Sequence, residues 1–219
     1  VSWRPLQRNL PAVPVTDLVV KGDDVVLATQ GRSFWVLDDI APLRQLTPEV
    51  AGASAHLFEP SVAYRFGGPE GRGAVGKNPP YGARFYYLLK HAPKDGEEVK
   101  LEILDEKGSL VRALTSREAK KGESTGPDVS SDDAPKPIPA KAGLNTFSWD
   151  LRHAPASKFD GLILWGGETE GPRAVPGRYQ VRLSSGGTTL TRPFELRKDP
   201  RLATTDEDFA KQLTLLTEI

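Results

Sequence analysis

The sequence has no cysteine and no methionine. Without cysteine there can be no disulfide, no thiolate zinc site and no cysteine nucleophile. It also lacks an excess of charge of either sign, since 29 Lys and Arg balance 29 Asp and Glu. A chain with no basic field has no electrostatic means of holding nucleic acid or an anionic membrane. No apolar run approaches the ~18 residues of a membrane-spanning helix. Apolar residues make up 38% of the chain, below the usual ~45–50%. No signal peptide is visible and the chain begins at Val1, which reads as a mature or excised segment. A cysteine-free chain is compatible with the bacterial periplasm or the extracellular space.

What the sequence has in abundance is turn residues, 21 Gly and 19 Pro. That profile suits a turn-rich all-β chain and does not suit a helical bundle. The stretch GLNTFSWDL, residues 143–151, alternates Phe147, Trp149 and Leu151 with Ser148 and Asp150. A period of two marks a strand with one buried face and one wet face. The same alternation recurs at Val99, Leu101 and Ile103, and at Tyr179, Val181 and Leu183 after the turn Pro176-Gly177. Three apolar stripes need a second sheet to cover them, so a β-sandwich is expected.

In chain order, residues 17–20, 24–28 and 34–37 predict three short strands joined by tight turns. Three such strands cannot close a core alone, which suggests part of a propeller blade or an edge that needs a partner sheet. Residues 40–43 then leave the sheet. Residues 62–66 predict the first sandwich strand, and the Gly-rich residues 67–82 a loop with no phosphate-binding GxxxxGK[ST] pattern. Residues 83–91 read as a central strand, and 99–104 with 110–114 as a meander. Residues 116–142 are polar and Pro-rich and predict a long mobile excursion. In a second long loop, 152–175, four consecutive apolar residues from Leu162 to Trp165 predict that it folds back on the core. Residues 188–196 complete the sandwich after the turn Ser185-Gly186-Gly187. A capped helix starts at Thr204-Thr205-Asp206, with Phe209, Leu213 and Leu216 on one face. No stop signal precedes Ile219, so the helix is expected to continue in a parent protein.

Candidate chemistry is sparse. Asp38 and Asp39 are adjacent on an extended segment and point to opposite faces, a poor arrangement for acid–base work. One is expected to cap a turn and the other to pair with Arg32 or Arg44. His56, His91 and His153 show no metal-ligand spacing, and no metal or cofactor is expected. Asp128, Asp132 and Asp133 do not follow the calcium-loop pattern and read as a solvated loop. Ser33, Ser148 and Ser185 lie in no GxSxG elbow, so no catalytic residue is indicated. Trp165, Tyr81, Tyr86 and Tyr87 could line a sugar-binding face or pack the core. Trp165 with Tyr81 and Tyr86 is the candidate ligand-binding set, and Trp165-Gly166-Gly167 the best candidate for an exposed platform.

Residues 3–46 resemble the closing blade of the large bacterial sortilin-like propeller proteins, often labelled BNR-repeat glycosyl hydrolases. The resemblance is carried by LPAVPVTDLVV followed by ATQGRSFWVLDD. FEPSVAYRF, NPPYGARFYYLLK, GLNTFSWDLR and PGRYQVRL resemble the region that follows the propeller in those proteins. VKLEILDEKGSLVRAL and GLNTFSWDLR are also similar to the immunoglobulin-like sandwich of flagellar hook-capping proteins. The resemblance implies an exported protein, extracellular or periplasmic, with a propeller upstream. It implies no reaction, because the chain carries neither an SxDxGxTW repeat nor a sialidase arginine triad.

The expected architecture is therefore a blade segment at residues 1–48, an immunoglobulin-like or fibronectin III-like sandwich of about seven strands at 49–200, and the start of a helix at 201–219. The expected role is a non-catalytic accessory module that braces the propeller and presents a face to protein or peptide. The alternative is a carbohydrate-binding accessory domain of a glycoside hydrolase, and an enzyme in its own right is a third reading.

Overall fold

The computed structural model describes residues 3, 5–66, 78–117, 136–156 and 169–218. They divide into two compact units, Val1–Leu46 and Thr47–Ile219.

The first unit is an antiparallel meander of β1 (Val15–Lys21), β2 (Asp24–Thr29) and β3 (Phe34–Leu37), in that spatial order. The turn between β1 and β2 uses Gly22 at φ +60°, where a side chain would be strained. Leu18 lies opposite Leu27, which lies opposite Trp35; one step along, Val19, Val26 and Val36 line up in the same way. Successive side chains alternate between faces, so both faces of the sheet are apolar. Neither is covered within the unit: Leu18 is 55% exposed, Val19 56% and Phe34 73%. The residues that leave the sheet form a short helix, α1 (Ala41–Gln45), with Pro in its first turn. Asp39 accepts the Ala41 N–H at 3.4 Å, so a carboxylate does serve this turn. Arg44 forms its ion pair with Asp23, at 2.5 Å.

Among the described residues the second unit holds eight strands. A three-stranded sheet has β6 (Ala83–Leu89) at its centre, flanked by β4 (Ala55–Leu57) and β9 (Gly143–Trp149). A five-stranded sheet runs β5 (Ala63–Arg65), β11 (Thr188–Lys198), β10 (Gly177–Ser185), β7 (Lys100–Asp105), β8 (Leu110–Thr115). All pairings are antiparallel except β5 with β11. The first strand of this unit is β4, not residues 62–66. It follows a helical turn, α2 (Pro48–Gly52), capped by the Thr47 hydroxyl on the Val50 N–H. Short strands next to Pro and Gly carry too few apolar residues to show a period, which is why β4 and both helical turns escape a pattern reading.

The sheets meet across one apolar cluster. Leu57, Phe85, Tyr87 and Trp149 come from the smaller sheet; Leu101, Ile103, Val181, Leu183 and Phe194 come from the larger. Trp149 is 1% exposed and Tyr179 5%, so the alternating stripes of 99–104, 143–151 and 179–183 do turn into a shared interior. Phe194 sits edge-on to Phe85 at 5.2 Å and to Trp149 at 6.3 Å, and stacks on Tyr179 at 5.7 Å. Rings at such spacings add stabilisation beyond the area they bury.

Two excursions are tied down at their ends. Of the polar stretch 116–142, residues 118–135 lie outside the described residues, and in its last part Ile138 packs into the core. Ile138 is 2% exposed, its N–H bonds Thr115 O at 3.0 Å, and the Tyr87 hydroxyl donates to Pro139 O. Residues 150–156 run against 169–174, with His153 N–H on Pro172 O at 2.9 Å and Ala174 N–H on Leu151 O at 2.7 Å. Gly171 is needed there, because a Cβ would sit 2.3 Å from His153 O. The apolar residues Leu162 to Trp165 and the aspartates 128, 132 and 133 lie outside the described residues.

The chain ends in α3 (Asp206–Glu218). The Thr205 hydroxyl accepts the Asp208 N–H at 3.2 Å, and Asp208 Oδ2 accepts the Thr205 N–H at 2.9 Å, a reciprocal cap. Phe209 is buried, whereas Leu216 is largely exposed. Among the described residues no helix is long and apolar enough to cross a membrane.

Candidate functional site

The larger unit carries one cavity that chemistry singles out, and it is organised by an arginine at the end of an apolar strand. β5 is three residues long and pairs in parallel with the end of β11, which places Arg65 opposite Lys198. The Arg65 guanidinium donates to Ala174 O at 3.2 Å and to Gln212 Oε1 at 3.1 Å. It also lies 4.6 Å above the Phe209 ring. One side chain therefore ties β5, the 169–174 segment and α3 together. Burial and the nearby Arg173 both lower the Arg65 pKa below the ordinary guanidinium value, yet a guanidinium keeps its charge at any physiological pH.

Arg173 is held by the bridge that pairs it with Arg152 across the two runs. Its guanidinium lies 5.8 Å from the centre of the Tyr81 ring. Arg65 and Arg173 line a cavity of about 320 Å³ whose wall includes Phe66, Leu202 and Phe209. Among the described residues neither arginine has a carboxylate within ion-pair distance. Asp208 also lines the cavity, but its Oδ2 already takes the N–H and the hydroxyl of Thr205. Those bonds hold its carboxyl below the usual range, so it is ionised and cannot donate a proton at neutral pH.

The aromatic candidates are dispersed. Tyr81 stands at the rim of this region, 41% exposed and beside Arg173. Tyr86 is half-buried on the outer face of β6, where its hydroxyl takes a bond from Arg84 at 3.2 Å. Tyr87 faces inward and belongs to the core. Trp165 lies outside the described residues. Among the histidines, His56 is edge-on to Phe58 at 4.8 Å, and His91 is exposed. His153 has its Nε2 buried with no partner among the described residues. No group of three or more His, Asp or Glu able to hold a metal occurs among the described residues.

Sequence reasoning passed over Arg65 and Arg173. The available signal was a cation closing an apolar strand in VAYRF, but only the tertiary fold brings residue 65 to residue 173. No protein-family model, no curated protein and no solved structure matches the chain.

Proposed function

We propose that this chain is a non-catalytic accessory module of an exported propeller protein. In this reading residues 1–48 form a blade of the propeller. The larger unit is an immunoglobulin-like sandwich that braces it and presents a face to protein or peptide. The observation that carries the reading is the meander with two apolar, uncovered faces. A free-standing sheet hides one face and wets the other, whereas a propeller blade is flanked on both sides and has four strands. Three strands with Leu18, Val20 and Trp35 on one side and Val19, Val36 and Phe34 on the other match a blade awaiting neighbours and a fourth strand.

The immunoglobulin-like part rests on topology and one side chain. The order β4-β6-β9 against β11-β10-β7 matches strands A-B-E against G-F-C. Tyr179, at the start of the strand equivalent to F, donates its hydroxyl to Val175 O four residues upstream, at 2.7 Å. That is the geometry of a tyrosine corner. Location outside the cytoplasm belongs to the same reading and draws on the resemblance of residues 3–46.

The parent polypeptide tests it. Repeats with a period of about 40–50 residues are expected ahead of residue 1, and a segment of other character there overturns the propeller reading. A carbohydrate-binding role is the second reading, favoured by the exposed Tyr81 ring. It requires quenching of tryptophan fluorescence on titration with polysaccharide, abolished in Trp165→Ala.

A further inference from the structure

We propose that the cavity between Arg65 and Arg173 binds a small apolar carboxylate, of the kind a peptide presents at a C-terminus ending in an aliphatic residue. The inference is independent of the propeller reading, because every residue it uses belongs to the larger unit.

The first ground is uncompensated charge. Two guanidiniums line one cavity, and among the described residues neither forms an ion pair, since the Asp208 carboxylate on the same wall is engaged by Thr205. After burial, repulsion from Arg173 is the next cause that lowers the Arg65 pKa, and an anion seated at both guanidiniums would relieve it. Arg65 is already held by Ala174 O, Gln212 Oε1 and the Phe209 ring. Little side-chain entropy remains to be lost when a ligand arrives. A guanidinium has five N–H donors in a planar fork that matches a carboxylate, and the bonds to Ala174 and Gln212 leave Arg65 with donors to spare.

The second ground is the rest of the wall. Phe66 and Leu202 are largely exposed yet turned to the same cavity as the buried Phe209. An inorganic anion leaves this apolar surface unused, and a sugar acid asks for hydrogen-bonding groups around its ring. An aliphatic acid uses both halves. A volume of about 320 Å³ lies at the low end of small-molecule pockets, ~300–1,000 Å³, and suits one residue rather than a long chain. Asp208 sets the polarity, because its ionised carboxyl keeps the ligand's carboxylate at the arginine side.

Calorimetric titration of the full chain with N-acetyl-leucine tests the assignment, with N-acetyl-leucinamide, galacturonate and inorganic phosphate as comparators. Saturable binding of N-acetyl-leucine is expected, weakened at least about tenfold by removal of the ligand's charge or by Arg173→Gln. Arg173 is exposed, so the R173Q fold should persist, as near-ultraviolet circular dichroism will show. Phe66→Ser, on the apolar wall, should weaken binding separately. No saturable binding, equal binding of the amide, or galacturonate or phosphate binding as tightly as N-acetyl-leucine overturns the proposal.

Discussion

Tyr179 joins the core and the backbone in one side chain. Its ring packs with Trp149 and Phe194, and its hydroxyl satisfies Val175 O. Burial, the largest cause, raises its pKa to about 12. Tyr179→Phe keeps the ring but strands a carbonyl, so a loss of about 1 kcal/mol in a urea melt is expected. The raised pKa also makes the fold sensitive to alkali. Above the ordinary tyrosine value of ~10 the unfolded chain ionises first, and stability falls as pH rises towards 12. His153 and His56 act at the other end. Burial lowers both pKa values, opposed at His153 by Asp105 and reinforced at His56 by Arg192. The unfolded chain therefore takes up protons first, and stability falls as pH drops below about 6.5. Melts at pH 7.5 and 5.5 should show this loss, and a His56→Phe, His153→Phe double variant should flatten it. An unchanged slope would refute the assignment. Gly82 allows no substitution: its φ is +112° and a Cβ would stand 1.8 Å from Trp149 O.

At the scale of elements, the strands of the larger unit are set by alternation and turns. Gly186 and Gly187, both at positive φ, close the two-residue turn between β10 and β11, as a hairpin of that length requires. β9 depends on a buried polar residue. Asn145 Nδ2 donates to Lys141 O at 2.7 Å and to Gly143 O at 3.0 Å, while Oδ1 accepts the Lys141 N–H at 2.9 Å. α3 depends on its cap and on Phe209. Thr205→Ala removes the cap, which should cost about 1 kcal/mol of stability. The loss should appear as faster amide exchange in the first turn of α3, with β6 and β10 unchanged. Equal acceleration everywhere would mean that the helix opens only with the whole fold.

For the molecule as a whole, the contrast between units matters most. The larger has a closed interior fed by both sheets, whereas the described residues of the smaller form three strands and contribute none to that buried cluster. Leu18, Val19 and Phe34 stay largely in solvent, so little apolar burial holds this sheet closed. Amides of β1 to β3 should therefore exchange about a hundredfold faster than those of β6, β7 and β10. Comparable protection would show that the meander is stable without neighbours and would weaken the blade reading. Exposed apolar area on this scale should also bind a hydrophobic dye, and Val19→Lys with Val36→Lys should abolish most of that signal.

The sequence by itself determined the strand-rich class, the three inward stripes, most hairpin turns and the capped helix. Each of these is local: a period of two, a glycine at positive φ, a hydroxyl before an acidic turn. It also pointed to residues 17–37 as three short strands that need a partner; that both of their faces are apolar and exposed came from the strand register. Only the tertiary structure decided which sheet each strand joins, that Ile138 leaves a polar stretch to enter the core, and that β4 opens the larger unit. It alone decided the candidate site, since residues 65, 173 and 209 are neighbours through strand pairing and helix docking. Attraction and burial at that range depend on distances in space, which a linear pattern of residue types does not encode.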